Sequence, residues 1–167
     1  HELDPELPVT GLQPFAEWTG RILAQPRFQA ALLSLFAALA LSSDYTVDDA
    51  YISFRYAANL AAGHGLTFNP GGPRVEGYTN FLWTVLLAAG MGMGLDPLAL
   101  GHWLGLGFYA GSIALLWRAA GKFWPLAAVG WGLHWHAQSF ATCGLETAMF
   151  TFLVTAMLVT LLRAEHA

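Results

Sequence analysis

The sequence predicts an all-α fold: a polytopic transmembrane helical bundle of about four spans, with an external loop that contains juxtamembrane amphipathic helices. Three observations support this class. Of the 167 residues, 56% are hydrophobic and 11% are charged, which is less than half the charged share of an ordinary soluble domain. Several apolar runs approach or reach the length that crosses a bilayer. The polar stretch 48–83 interrupts these runs and carries Asp, Glu and Arg residues.

The charge pattern and the single cysteine exclude two kinds of function. The net charge is −4 and the seven Lys and Arg residues are scattered, so the chain has no basic stripe for nucleic acid. Cys143 is the one cysteine, which excludes an internal disulfide and a multi-cysteine metal site. We expect Cys143 to be a small apolar residue at a helix end.

The N-terminal part predicts a tail followed by a first span. Residues 1–27 contain four prolines and mixed charges, which is typical of an irregular tail, here on the cytoplasmic side. Residues 28–41 are an apolar run preceded by Arg21 and Arg27, and with a flanking turn they predict a span over 28–43. The alternative is a signal peptide, because a basic flank, an apolar run and small residues near its end are typical of one.

The later apolar runs differ in length. The run 81–95 is short for a hydrocarbon core ~30 Å thick and is rich in glycine at its end, so it predicts a juxtamembrane or re-entrant helix. The runs 98–117, 123–142 and 147–163 are long enough to cross. In this topology Arg118, Lys122 and Arg163 share the cytoplasmic side with the tail, which agrees with the usual retention of positive charge there. The loop 44–97 then lies outside.

The loop begins with a predicted amphipathic helix over 47–62. A spacing of 100° per residue separates two faces. One face carries Ala50, Tyr51, Phe54, Ala57, Ala58 and Ala61, and the other carries Asp48, Asp49, Ser53, Arg55, Tyr56 and Asn59. Such a helix would lie flat at the membrane interface, with its apolar face in lipid or against the bundle. Gly63 follows in the position of a C-cap glycine.

The adjacent acids Asp48 and Asp49 have two interpretations. Carboxylates at a helix start stabilise the free amides and the helix dipole by ~1 kcal/mol. Two neighbouring carboxylates beside lipid, however, raise the cost of both charges unless a cation or a reacting proton shares them. One would then be a general base and the other a metal ligand or an orienting group. The sequence leaves open which of the two is the base.

The rest of the loop supplies candidate substrate-binding residues. Gly71 and Gly72 suit a tight turn. Arg74 is suited to binding a phosphate, although an exposed arginine is an ordinary surface feature. The full set of candidates is Arg55, His64, Arg74, Glu76, Tyr78 and Asn80 in the loop, and Glu146 between the last two predicted spans.

Glu146 is expected on the same side of the membrane as the loop. Its simpler interpretation is a carboxylate at a helix start. If it approaches Asp48 and Asp49, the three carboxylates suit a divalent cation such as Mg²⁺ or Mn²⁺, because both ions prefer oxygen ligands.

Three motifs resemble a known family. DDAYISFRYA, GHGLTFNP and RVEGYTNFLW are similar to the first external loop of bacterial GT-C superfamily glycosyltransferases, in particular the arabinofuranosyltransferase and mannosyltransferase-like subgroup. The similarity is close over 48–97 and elsewhere lies in the order of elements. It implies an inverting transfer of a sugar from a polyprenyl-phosphate donor to a hydroxyl of a glycan, lipid or protein. It also implies that Asp48 or Asp49 is the base and that Glu146 is a second acid near the donor.

The resemblance further implies where the protein works. Members of the family lie in the bacterial cytoplasmic membrane as multi-pass proteins, with the acid-bearing loop facing the periplasm or the cell exterior. They have several times more spans and often a C-terminal periplasmic domain. We therefore expect this chain to be the N-terminal part of such an enzyme.

Two alternatives belong to other classes of protein. A non-enzymatic membrane module that binds a lipid phosphate or partner subunits would need Arg55 and Arg74 but not the paired acids. A haem-binding electron carrier would use His102 with His134 or His136. His134 and His136 are two residues apart and lie on different faces of a helix, so they do not easily bind one ion together.

Overall fold

The computed structural model describes residues 25–42, 46–120 and 126–164. Within these ranges the chain forms seven helices and no strand, so the all-α prediction is confirmed there. The helices are α1 (Pro26–Leu41), α2 (Asp48–Ala61), α3 (Phe81–Gly92), α4 (Pro97–Ala119), α5 (Leu126–Leu133), α6 (Trp135–Thr142) and α7 (Thr147–Ala164). The predicted tail 1–27 lies outside the described residues, except for its last three.

Two helices of the described part are long and apolar enough to cross a membrane, namely α4 and α7. They match the spans predicted over 98–117 and 147–163. α1 and α3 are shorter apolar helices, and α3 agrees with the prediction of a helix too short to cross. A bundle of about four spans is therefore not confirmed by the part of the chain that the structure describes.

The prediction of one continuous helix over 123–142 is wrong in the described part of that range. The helix is interrupted at His134, which has an extended backbone and is the N-cap of α6. A break leaves backbone carbonyls without helical partners. Here the Gly132 carbonyl accepts hydrogen bonds from the Tyr109 hydroxyl at 2.6 Å and from Gln138 Nε2 at 2.8 Å. These hydrogen bonds stabilise the break, and they cannot be predicted from the periodicity of the sequence.

The helices pack around two cores. One core joins α1, α4, α5 and α6 around Phe36, Tyr109 and Ile113. The other joins α2 and α3 around Phe54 and Trp83, and includes Met149 of α7. The most extensive contact of α4 is with α7, and the most extensive contact of α2 is with α3. The first core therefore belongs to the helical bundle, and the second attaches the loop helices to it.

α7 exposes much of its apolar surface. Only 17% of its most apolar 18-residue stretch is buried. Phe150 is 65% exposed and Leu161 is 54% exposed. The core helix of a soluble protein would be largely covered, and a large exposed apolar surface indicates contact with lipid or with another helix. α4 and α7 are thus suited to a membrane environment.

Candidate functional site

The start and the end of α2 follow from local sequence. Asp48 and Asp49 lie in its first turn, where carboxylates interact favourably with the helix dipole, and Val47 is the N-cap. At the other end Gly63 has φ +80°, and the amides of Gly63 and His64 donate to the carbonyls of Leu60 and Asn59. This pattern is the Schellman motif. The predicted helix and its C-cap glycine are confirmed.

The predicted division of α2 into a wet and an apolar face is wrong at several positions. Ser53, Tyr56 and Asn59, which were expected to face water, are buried. The reason is that the following loop folds back over this side of the helix. The Tyr56 hydroxyl donates to the Val75 carbonyl at 2.6 Å.

Asn59 binds the same loop closer to its start. Its Nδ2 donates to the carbonyls of Thr67 at 2.6 Å and Phe68 at 2.9 Å. Buried side-chain amides need such partners, because an unsatisfied donor costs about 1–3 kcal/mol. The polar residues on this side of α2 therefore hold the loop in place instead of meeting solvent.

A tight turn over 143–146 packs against the start of α2. The Val47 amide donates to the Cys143 carbonyl, and the Trp83 indole donates to the Gly144 carbonyl, each at 3.1 Å. Gly144 has φ +85°, and a β-carbon added to it would lie 3.0 Å from Ala50 Cβ. Glycine thus allows both the turn geometry and the close approach to α2. The contact brings Glu146 next to the first turns of α2.

Cys143 is a buried residue of this turn, as predicted. It is the C-cap of α6 and is fully inaccessible. Burial raises the pKa of its thiol, because desolvation disfavours the thiolate. A buried thiol with a raised pKa is a weak nucleophile and a weak metal ligand. Cys143 therefore contributes packing to the site and no chemistry.

The loop and the turn enclose a polar cavity of about 330 Å³, which we call the loop cavity. It is lined by Asp49, Ile52, Ser53, Gly77, Tyr78, Thr79, Asn80, Leu145 and Glu146. Four of the predicted site residues are thus brought together: Asp49, Tyr78, Asn80 and Glu146. Asp49 and Glu146 are far apart in the sequence, so tertiary packing alone makes them neighbours of one cavity.

Asn80 connects the elements that form the loop cavity. Its Nδ2 donates to Glu146 Oε2 at 2.8 Å and to Ser53 Oγ at 2.9 Å. Its Oδ1 accepts from Thr84 Oγ1 at 3.1 Å. A hydrogen bond to a charged acceptor is stronger than one between neutral groups. Asn80 therefore holds the Glu146 carboxylate, whose Oε1 makes no hydrogen bond to any described residue.

The other predicted residues lie outside this cavity. Asp48 is exposed and is not among its lining residues. Arg55 is also exposed, and its Nε donates to the Phe68 carbonyl at 3.1 Å while its guanidinium lies 6.0 Å from the Phe68 ring centroid. Arg55 therefore supports the loop, and its charge does not reach the acids.

His64, Arg74 and Glu76 are exposed on the loop surface. None of the three lines the loop cavity. Within the described residues, the side chains of Arg74 and Glu76 make no hydrogen bond or ion pair. The structure thus separates these predicted substrate-binding residues from the pair Asp49 and Glu146.

The predicted metal ligands are not gathered as a group of three. Within 25–42, 46–120 and 126–164, no group of three or more His, Cys, Asp or Glu side chains could hold a metal ion. Asp49 and Glu146 line one cavity and Asp48 does not. Two carboxylates can still bind Mg²⁺ when water and substrate phosphate oxygens complete its octahedral shell.

An apolar groove adjoins the loop cavity. It has a volume of about 400 Å³ and shares Thr79, Asn80 and Glu146 with the cavity. Its other walls are Thr147 and apolar side chains of α3 and α7, among them Phe81 and Leu153. A polar cavity that opens beside an apolar groove fits a molecule with a polar head and an apolar chain.

Two lining residues with polar side chains, Ser53 and Thr79, escaped the sequence analysis as site residues. Ser53 follows Asp49 by four residues, so it shares a helix face with it, and this spacing could have identified it. Thr79 lies between Tyr78 and Asn80, and nothing in its residue type distinguished it. Both were recognisable only through their neighbours.

The histidines of the haem alternative occupy two places. The Nε2 of His102 lies 3.1 Å from Thr46 Oγ1, near the start of α2. His134 and His136 line another cavity, which we call the aromatic cavity, between α4, α5, α6 and α7, and His102 is not among its lining residues. The arrangement therefore does not favour a haem held by His102 and His134 or His136.

The chemistry available to the loop cavity is that of two carboxylates, one phenol, one amide and the hydroxyls of Ser53 and Thr79. Asp49 can accept a proton, and Glu146 can bind a cation or a sugar hydroxyl. No Lys or Arg is among the residues that line the cavity.

No protein-family model matches the chain, and no curated protein or solved structure matches it.

Proposed function

We propose that the chain is the N-terminal part of a GT-C type membrane glycosyltransferase. It would transfer a sugar from a polyprenyl-phosphate donor to an acceptor hydroxyl on a glycan, lipid or protein, with inversion. The observation that carries the proposal is the convergence of Asp49 and Glu146 on one cavity. The resemblance implies that two distant loops each contribute an acid to one site. If each acid only stabilised the start of its own helix, the two would not need to line the same cavity.

Asp49 is the proposed general base. Its carboxylate is exposed, lines the loop cavity and makes no hydrogen bond to a described residue. It would take the proton of the acceptor hydroxyl as that oxygen forms its bond to the anomeric carbon. The bond from that carbon to the donor phosphate breaks from the opposite side, and its electron pair leaves with the phosphate. The sugar is thereby inverted and no covalent enzyme intermediate is needed.

Glu146 has the proposed role of orienting the donor. Asn80 holds one of its oxygens, so the other can bind a sugar hydroxyl or a divalent cation. The charge of the cavity favours the cation, because a phosphate beside two carboxylates with no lining Lys or Arg would be repelled. Mg²⁺ or Mn²⁺ held by Glu146, with water completing its shell, would neutralise the departing phosphate and leave Asp49 to act as the base.

The apolar groove supports a lipid-linked donor. It adjoins the loop cavity at Thr79, Asn80 and Glu146, and runs between apolar residues of α3 and α7. A polyprenyl chain in this groove would leave its phosphate at the polar cavity. The two helices suited to a membrane support the same location. We propose the bacterial cytoplasmic membrane, with the loop on the periplasmic or outer side.

The test compares Asp49→Asn with Asp48→Asn in the full-length protein. Membranes containing each variant would be supplied with radiolabelled polyprenyl-phosphoryl arabinose and polyprenyl-phosphoryl mannose, and transfer to endogenous acceptor would be measured. Loss of a general base costs about 10²–10⁴-fold in rate. We expect that loss for Asp49→Asn and near-normal transfer for Asp48→Asn, with both variants folded. Full transfer by Asp49→Asn would refute the role of base.

A non-enzymatic module that binds a lipid phosphate is the second candidate. Arg74 favours it, because this exposed guanidinium has no partner among the described residues. The two functions separate when each variant is measured both for binding to polyprenyl-phosphate vesicles and for sugar transfer. The module predicts that Arg74→Ala weakens binding and that Asp49→Asn does not change it. The enzyme predicts that Arg74→Ala leaves sugar transfer largely intact.

A further inference from the structure

A groove between α1 and α4 lies at the end of the bundle opposite the loop cavity. It has a volume of about 140 Å³, and we call it the arginine groove because Arg118 is the charged residue among those that line it. One wall carries Leu32, Leu33 and Phe36, whose spacing places them along one side of α1. The groove therefore combines apolar walls with one cationic side chain.

The two ends of the bundle differ in charge. The start of α4 lies at the loop cavity, because a β-carbon on Gly101 would be 3.5 Å from Gly144 Cα. Its last turn, with Arg118, therefore lies at the far end. Arg163 of α7 is there too, since its Nη2 donates to the Arg118 carbonyl at 3.1 Å, and Arg27 lies in the first turn of α1.

The acids of the described part are all at the other end. They lie in the loop, at the start of α4 and in the turn before α7. Arg118 is exposed, and its guanidinium makes no hydrogen bond or ion pair with a described residue. The arginine groove thus lies where the described residues carry positive charge that no described carboxylate neutralises.

The position of Arg118 on α4 indicates the depth of the groove in a membrane. Arg118 is in the last turn of α4, next to Trp117, which also lines the groove. α4 is long and apolar enough to cross a bilayer, and Trp and Arg at the end of such a helix are typical of the headgroup region. The apolar walls would then lie in hydrocarbon and the guanidinium among the headgroups.

The shape of the groove suits a chain. Along α1 it extends from Gln29 to Phe36, a length of about 10 Å at 1.5 Å per residue. On the opposite wall Ala114 is the smallest lining residue and lies one turn before Arg118. A larger side chain at this position would fill the groove, so the short one keeps open a space for part of one acyl chain.

We propose that the arginine groove binds a phospholipid with a net negative headgroup, with one acyl chain between α1 and α4 and the phosphate at Arg118. Charge complementarity selects this occupant, because arginines at a membrane surface attract anionic lipids. A zwitterionic phospholipid also brings a positive group to the arginines and is therefore bound less tightly. The inference rests on the proposed membrane location and not on sugar transfer.

The test measures lipid binding to the full-length protein in dodecyl maltoside by native mass spectrometry. The ligands are phosphatidylglycerol and phosphatidylcholine with the same acyl chains. Arg118→Gln removes the positive charge, and its control is Asn69→Asp, which changes the net charge equally at an exposed position of the loop. Ala114→Phe fills the groove, and its control is Ala119→Phe, at an exposed position of α4 that does not line it.

We expect the unaltered protein to bind phosphatidylglycerol at least about fivefold more tightly than phosphatidylcholine. Arg118→Gln should weaken phosphatidylglycerol binding about fivefold, the contribution of one arginine near a headgroup, and leave phosphatidylcholine binding unchanged. Ala114→Phe should weaken the binding of both lipids, and the two controls should bind both normally.

Three results would overturn the proposal. The first is equal affinity of the unaltered protein for the two lipids, and the second is the same loss in Asn69→Asp as in Arg118→Gln. The third is unchanged binding in a folded Ala114→Phe variant, because the lipid would then lie elsewhere. Since Arg118 is exposed, Arg118→Gln tests the headgroup contact without disturbing the packing.

Two further measurements separate this proposal from the proposed function. Asp49→Asn should lose sugar transfer and keep the preference for phosphatidylglycerol, so failure of one proposal leaves the other standing. Retention of the protein in membranes washed with carbonate tests the membrane location. Release of the protein by carbonate would refute that location, and with it the lipid site.

Discussion

The loop cavity and the aromatic cavity differ in what their polar groups do. In the loop cavity two carboxylates face open space, and one of them is held by Asn80. In the aromatic cavity no lining residue is Asp, Glu, Lys or Arg, and the buried Nε1 of Trp131 makes no hydrogen bond to a described residue. Charges are tolerated where a loop borders water and are costly among apolar helices. The comparison teaches that carboxylates line the cavity at the loop and that none lines the cavity among the helices.

The two cavities also have a feature of their packing in common. Near each of them, a glycine allows two segments of the chain to approach closely. Gly105 of α4 faces the Ala141 carbonyl of α6 beside the aromatic cavity, and Gly144 faces Ala50 beside the loop cavity. Substitution of each glycine should therefore disturb one cavity more than the other.

The largest effect is expected for Gly105→Leu. Even a β-carbon at this position collides with the backbone of Ala141, which cannot move aside as a side chain can. Overpacking of this kind costs about 3 kcal/mol, and unfolding in mixed micelles of dodecyl sulfate would measure it. Gly107→Leu is the control on the same helix, because a β-carbon there meets nothing within 4 Å. Equal destabilisation by both variants would contradict the close approach of α4 and α6.

Gly144→Ala should have the next largest effect and act on the loop cavity. The left-handed backbone costs a non-glycine residue about 1–2 kcal/mol, and the contact with Ala50 adds to it. The control is Gly94→Ala, since Gly94 has the same φ of +85° but open space around its β-position. Sugar transfer should fall in Gly144→Ala and not in Gly94→Ala. If the two variants lose the same stability and activity, the turn does not position Glu146.

Asn80→Ala should have the smallest effect on stability. It removes the hydrogen bonds to Glu146, Ser53 and Thr84, each worth about 0.5 kcal/mol net at this part-buried site, where water replaces part of the loss. Because Glu146 is then no longer held, we expect a larger loss of sugar transfer than of stability. Asn69→Ala is the control, since this exposed side chain makes no hydrogen bond to a described residue. A loss of stability without a loss of transfer would show that Asn80 is purely structural.

Much of the helical framework could be predicted from the sequence. The helix expected over 47–62 is observed as Asp48–Ala61, and the run 98–117 is observed within Pro97–Ala119. Both follow from local patterns: an apolar periodicity or run, and a glycine or proline at an end. These signals depend on neighbouring residues, so a single sequence is sufficient to read them.

The break at His134 and the covering of α2 could not be predicted in this way. Gly132 accepts its hydrogen bonds from Tyr109 and Gln138, and Tyr56 binds a loop carbonyl nineteen residues later. Periodicity assigned Tyr56 and Asn59 to water because it cannot detect a loop that folds back over a polar face. Contacts between distant residues override a local pattern when they satisfy its buried polar groups.

The sequence by itself determined where most of the helices lie and that a polar loop with two adjacent aspartates at its start separates the apolar helices. Only the tertiary structure decided that Asp49 lines the same cavity as Glu146 and that Asp48 does not. Adjacent residues of a helix point about 100° apart, so a partner from elsewhere in the chain reaches one of them first. That partner is Glu146, which the turn at Gly144 brings to α2. A local sequence pattern cannot predict this packing, because the turn and α2 are far apart in the sequence.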